Sequence, residues 1–153
     1  MTNEQAGHEA KVTRVALVSC VKTKQKSAMA AKDLYISPFF KKMRRYAEQN
    51  ADHWFILSAE HGVLHPDEVI GYYERTLNKM PKLDRMKWAE GVQRQLLELL
   101  PPHATVVFLA GVRYRENVIP FLESHGFTVP KPPMYGLRSG QQQHWLDEQM
   151  RDE

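Results

Sequence analysis

Cysteine is nearly absent, with Cys20 standing alone among 153 residues. A lone thiol excludes an internal disulfide and fits a reducing compartment, so the expected location is the cytoplasm. No apolar run approaches the roughly 20 residues that cross a bilayer as a helix, and no membrane partner is expected. The polar stretch from Met1 to Ala10, which carries Glu4 and Glu9, reads as neither a secretory signal nor a transit peptide. Repeats, low-complexity tracts and linkers are lacking too, which leaves a single domain. Residues 1–11 read as a flexible N-terminal tail and residues 12–153 as one α/β catalytic domain. A hydrophobic fraction of 42% and a charged fraction of 25% are ordinary globular values and argue against wholesale disorder.

Net charge is only +3, but it is unevenly spread. Between Cys20 and Ala47 there are eight Lys or Arg against one acid, Asp33, whereas the last seven residues hold four acids and one Arg. A concentrated positive segment attracts polyanions, and phosphate neutralisation supplies much of nucleic-acid affinity. For Lys41, Lys42, Arg44 and Arg45 a solvated helix face explains the pattern as well.

Hydrophobic patterning gives the architecture. Arg14 to Ser19 is a nearly continuous apolar run, as expected of a strand buried on both faces. Ser37 and Pro38 form an N-cap and first-turn pair for a helix with Phe39, Met43, Tyr46 and Ala47 on one side. His53 to Leu57 is a second strand, followed by a long polar loop that Gly62, Pro66 and Gly71 interrupt. Leu83 to Leu100 is a long helix ended by Pro101 and Pro102. Thr105 to Ala110 is a third strand, and a helix is expected over about Arg115 to His125, stopped by Gly126. Phe127 to Val129 reads as a fourth strand, and a last helix carries Trp145 and Leu146. Strands alternating with helices imply a three-layer α/β/α domain with a short, mostly parallel four-stranded sheet. Ligands of such sheets sit beyond the carboxyl ends of the strands. Segments 20–32, 58–76 and 111–116 are therefore expected to converge, and they hold most of the unusual polar residues.

Each segment offers chemistry. Cys20, beside Lys22 and Lys24, reads either as an activated nucleophile or as a small packing residue. The two lysines suit phosphate or sugar contacts. Tyr35 suits the cleft wall. After Ser58 come Glu60, His61, His65, Asp67 and Glu68, a set fitted to general acid–base chemistry. An exposed polar loop accounts for the same residues. Tyr72 and Tyr73 can stack on a base. No HExxH or cysteine partner pattern accompanies the histidines, and neither a metal nor a cofactor is expected. The third segment has a strand–Gly–turn–helix form that can face an anion, with Arg113 and Arg115 beside it. Arg138, Ser139 and Gly140 start the last helix, where Gln141 suits the reading of a base edge, although a plain capped turn explains them too.

The pieces VSCVKTK, DLYISPFFKKMRRYA, WFILSAEHGVLHPDEVIGYYERTL, LAGVRYREN and YGLRSGQQQHWL occur in the order in which they stand in a family of small bacterial and phage-associated domains long of unknown function, which the chain resembles. The third of these pieces is also similar to a stretch of the YaaA stress-response proteins. The resemblance extends to domains of archaeosine-tRNA modification enzymes and implies a uracil-DNA-glycosylase-like fold. Some relatives look like phage-defence glycosylases that excise bulky modified bases such as glucosylated hydroxymethylcytosine. Uracil-DNA glycosylases carry a Gly-Gln-Asp-Pro-Tyr loop after the first strand. Here that place reads Ser19-Cys20-Val21-Lys22, and the late His-Pro-Ser segment is also missing, so no catalytic residue transfers by position.

The expected activity is removal of a modified base from DNA or RNA after the nucleotide is flipped out of the stack. Asp67, Glu60 and His61 are the expected catalytic groups. Cys20, Lys22, Lys24, Tyr35, Ser58, Tyr73, Arg113, Arg115, Arg138 and Gln141 are expected to bind base or backbone. A non-catalytic nucleic-acid-binding stress or defence module, or a nucleoside or nucleobase transferase using Cys20, fits the same residues.

Overall fold

The computed structural model describes residues 12–21 and 24–150. The expected tail over residues 1–11 and Lys22 lie outside the described residues. Three parallel strands make the centre of the sheet: β1 (Arg14–Ser19), β3 (His53–Ser58) and β6 (Thr105–Leu109). A fourth, β4 (Gly62–Leu64), pairs antiparallel with β3, and the order is β4-β3-β1-β6. The register sets Leu17 opposite Phe55 on one side and Phe108 on the other. β1 is thus central, and Val15, Leu17 and Val18 are fully buried, as its unbroken apolar run requires.

Helices complete the layers. α1 (Ala31–Leu34) is a single turn, and α2 (Pro38–Asn50) begins at Ser37, whose Oγ accepts from the Phe40 N–H at 3.1 Å. Such a cap contributes about 1 kcal/mol. α2 lays Phe40, Met43 and Ala47 on β1 and β3 and packs against α6 (Ser139–Met150). α3 (Lys82–Leu99) buries Ala89, Val92 and Leu96 and covers the β4 edge. The result is the three-layer α/β/α arrangement with a mostly parallel four-stranded sheet. Among the described residues no helix is long and apolar enough to cross a membrane.

Three elements differ from expectation. The fourth strand is β4 rather than Phe127 to Val129, which contributes one parallel bridge between Thr128 and Thr105. The Phe127 N–H goes to the Leu122 carbonyl behind Gly126, at φ +89°, and Pro130 has no N–H to donate, so the pairing stops at that one bridge. The helix expected over Arg115 to His125 is two short ones, α4 (Val112–Arg115) and α5 (Ile119–Ser124), with Pro120 in the first turn of the second. Lastly, the polar stretches after β1 and β3 are tied together by a small antiparallel pair, β2 (Met29–Ala30) with β5 (Val69–Ile70).

The hairpin turn between β3 and β4 depends on Gly62, whose φ is +76°. A Cβ there would run into the Gln95 carboxamide oxygen, which accepts the Val63 N–H at 2.9 Å. Gly62→Ala is expected to lower stability by about 1–3 kcal/mol, the usual cost of a strained left-handed backbone. Urea denaturation would read this as a lower midpoint, and an unchanged midpoint would show that the turn adapts.

Candidate functional site

The chain leaves β1 toward β3 on one side and later returns to β6 on the other. The loops following β1 and β6 therefore separate, and in such sheets the crevice between them receives ligands. A cavity of about 1110 Å³ opens there. Its walls come from Ser19, Cys20 and Lys24 after β1, from residues 108–111, Tyr114 and Arg115 at the end of β6, and from the 72–80 segment. Phe39 and Met43 of α2 and Gln142 of α6 close it.

Charge along the wall is one-sided. Among the described residues lining the cavity are five cations, Lys24, Lys26, Arg75, Lys79 and Arg115, against a single carboxylate, Glu74. Lys24 is the unusual one, because it is 9% exposed. A backbone bridge to Tyr35 holds it in place, and its ammonium lies 4.6 Å from the centroid of the Tyr73 ring. Burial, foremost, draws its pKa below that of an ordinary lysine, and Cys20 and Glu74 oppose the shift. The Tyr72 hydroxyl donates to Glu74 at 2.5 Å, and Lys26 stands 3.9 Å over the Tyr72 ring.

Beside the cavity lies a buried chain of hydroxyls. Ser58 Oγ donates to the Tyr73 hydroxyl at 2.9 Å, and that hydroxyl meets the Tyr35 hydroxyl at 2.5 Å. Ser58 Oγ also accepts the N–H groups of Glu60 and His61, and so shapes the turn after β3. On the cavity wall Cys20 Sγ lies 3.4 Å from the Tyr114 hydroxyl, which also accepts the Leu77 N–H. Burial, foremost, and then the influence of Cys20 push the phenols of Tyr35, Tyr73 and Tyr114 well above the ordinary tyrosine value.

Of the expected site residues, Cys20, Lys24 and Arg115 line the cavity. Tyr35, Ser58 and Tyr73 are buried next to it. Glu60, His61 and Asp67 do not line the cavity: the first two lie in the turn that folds β4 back on β3, and Asp67 follows β4. Glu60 is exposed and faces Arg75 at 3.6 Å, while the His61 ring stands edge-on to Tyr73 at 5.5 Å. Asp67 is two-thirds exposed and pairs with Lys32 at 2.7 Å, which lowers its pKa through hydrogen bonding and charge. Arg113 is exposed and faces Glu116. Arg138 and Gln141 form a capped turn, the Gln141 oxygen accepting the Arg138 N–H at 2.9 Å. The helix after Gly111 has only four residues and offers little dipole to an anion. In the basic segment, Arg44 pairs with Asp33 and Glu48, and Lys42 with Asp147, so this part is a solvated, ion-paired helix face. Glu74, Arg75, Lys79 and Gln142 line the cavity without having been singled out by the sequence. The only signal for the first two was their place just after the Tyr72-Tyr73 pair.

The family of unknown function DUF6884 matches residues 15–148. The uncharacterised protein YfjM of Bacillus subtilis (strain 168) is 31% identical over 121 residues, covering 73% of this chain and 79% of its own length. No solved structure matches the chain.

The raised phenol pKa values have a definite sign. The folded chain holds these protons more tightly than the unfolded one, so their contribution to stability is complete below the ordinary tyrosine value of about 10 and is lost as pH rises through the folded values. Of the six tyrosines, Tyr35, Tyr73 and Tyr114 are expected to stay protonated past that value, and unfolding should release their protons. Phenolate absorbance during alkaline titration, with and without denaturant, measures this. All six tyrosines titrating together in the folded chain would contradict it.

Proposed function

This chain belongs to the DUF6884 family of unknown function, and we propose that it is a DNA glycosylase-like enzyme whose strand-end cavity receives a flipped-out nucleotide and cleaves the bond between base and sugar. The observation that carries this reading is the wall itself, where the described residues include five cations and one carboxylate beside buried aromatic rings. Cations suit the phosphates of a strand, rings suit a base, and a carboxylate suits a sugar that becomes positively charged. A volume of about 1110 Å³ lies just above the ~300–1,000 Å³ typical of ligand pockets. It has room for a base enlarged by a sugar, such as glucosylated hydroxymethylcytosine. A phage-defence role in the cytoplasm, a uracil-DNA-glycosylase-like ancestry and kinship with YaaA belong to the same proposal.

In this mechanism the C1′–N bond breaks and its electron pair leaves with the base. Lys24, made more acidic by burial, supplies the proton that the departing base takes. The Glu74 carboxylate, held by the Tyr72 hydroxyl, faces the sugar cation and orients a water. The water oxygen bonds to C1′ and its proton returns to Lys24, so the products are a free base and an abasic site. Electrostatic stabilisation of such developing charge is commonly the largest catalytic contribution. Glu60 and His61 act from outside the cavity, one through Arg75 and the other through Tyr73. Arg113 and Arg138 reach outlying phosphates.

Mass spectrometry of bases released from modified and unmodified DNA tests the proposal. Glu74→Gln is expected to reduce base release by roughly a hundredfold or more while leaving DNA affinity nearly intact. Asp67→Ala, which breaks a surface pair with Lys32, should change release by less than about threefold. Salt-sensitive DNA binding without release of any base would make the chain a binding module instead. Undiminished release by Glu74→Gln would remove the carboxylate from its role.

A further inference from the structure

Tyr135 lies in a turn between α5 and α6 and is 55% exposed. The turn is stiff: Pro130, Pro132 and Pro133 precede it, the Tyr135 N–H donates to the Pro132 carbonyl at 2.9 Å, and Gly136 follows at φ +81°. A large ring held out to water on a rigid turn adds nothing to the core, yet it loses little freedom on binding a planar partner. Two cations accompany it, the Lys131 ammonium at 4.9 Å from the ring centroid and the Arg115 guanidinium at 5.4 Å. Arg115 also lines the cavity, where its Nη1 donates to the Ala110 carbonyl at 2.6 Å, and Pro132 and Met134 of the same turn line it as well. The ring therefore stands at the cavity rim.

We propose that Tyr135 is a stacking platform for the base next to the extruded one, with Lys131 and Arg115 holding the phosphates on either side of that base. The substrate recognised is then a nucleic-acid strand and not a free nucleotide. This inference rests on the nucleotide reading of the cavity and adds a second position outside it. An exposed ring flanked by cations is the composition that single-strand binding uses, because every base has a π-face and every link a phosphate. Tyr72 with Lys26 repeats the combination on the cavity wall itself.

The test uses the full chain and two probes, a fluorescein-labelled oligodeoxycytidylate of about ten nucleotides, followed by anisotropy, and deoxycytidine 5′-monophosphate, followed by calorimetry. Tyr135→Ala should weaken the oligonucleotide by roughly tenfold and leave the mononucleotide unchanged, whereas Tyr135→Phe should match the wild type on both. Lys131→Met should lower the slope of log affinity against log salt by about 0.7, the value for one single-strand phosphate contact. Equal oligonucleotide affinity in Tyr135→Ala and wild type, or equal loss on both probes, overturns the platform. Binding of neither probe by the wild type overturns the platform and the nucleotide reading together. A selective loss in Tyr135→Ala, in a chain that releases no base, keeps the platform and removes only the glycosylase chemistry.

Discussion

Three hydroxyl groups decide where everything else in this molecule stands. Ser58 at the end of β3, Tyr73 beyond β5 and Tyr35 after α1 meet in space that water does not reach. A buried hydroxyl without a partner costs about 1–3 kcal/mol, so the three segments gain most when all three groups meet at once. Their meeting fixes the Tyr73 ring, the ring receives the Lys24 ammonium, and the 72–80 segment is delivered to the cavity. Together with the β2–β5 pair, that junction carries the polar stretch after β3 across to the strand ends of β1 and β6.

The cavity draws its character from the same junction. Lys24 loses hydration on burial and regains part of it from the faces of aromatic rings, a favourable exchange for a cation. Its position within a low-dielectric wall makes its charge count for more than that of a surface lysine. The Cys20 thiol, which the sequence presents either as a nucleophile or as packing, faces the Tyr114 hydroxyl on the cavity wall. That contact gives the thiol a polar neighbour without supplying a base to activate it.

Much of the fold is legible in the sequence because its causes are local. The apolar runs of β1, β3 and β6, the Ser37-Pro38 cap and the Gly126 stop each announce themselves within a few residues. The fourth strand is harder to read. Gly62–Leu64 becomes a strand by folding back antiparallel on β3, with Val63 opposite Leu57, and the Val63 N–H is then accepted by Gln95, more than thirty positions away, a partner that no pattern near Gly62 foretells. The same turn explains why the site is half legible. Cys20, Lys24 and Arg115 follow strands directly and fall where strand ends point, whereas Glu60, His61 and Asp67 lie on a hairpin and a crossing that carry them away. Glu74 and Arg75 reach the wall only after the β2–β5 pair has redirected the chain, a long-range event that residue types do not encode.

The central place of β1 also shapes how the chain must assemble. Val15 pairs with Val106, which is made long after it during synthesis, so β1 waits with one edge open until β6 has left the ribosome. Closing so long a loop is entropically slow, and distant parallel pairing of this kind lengthens folding relative to helical bundles of the same size. Until β6 arrives, the apolar ribbon from Val15 to Val18 is the part of the nascent polypeptide most in need of a chaperone's cover.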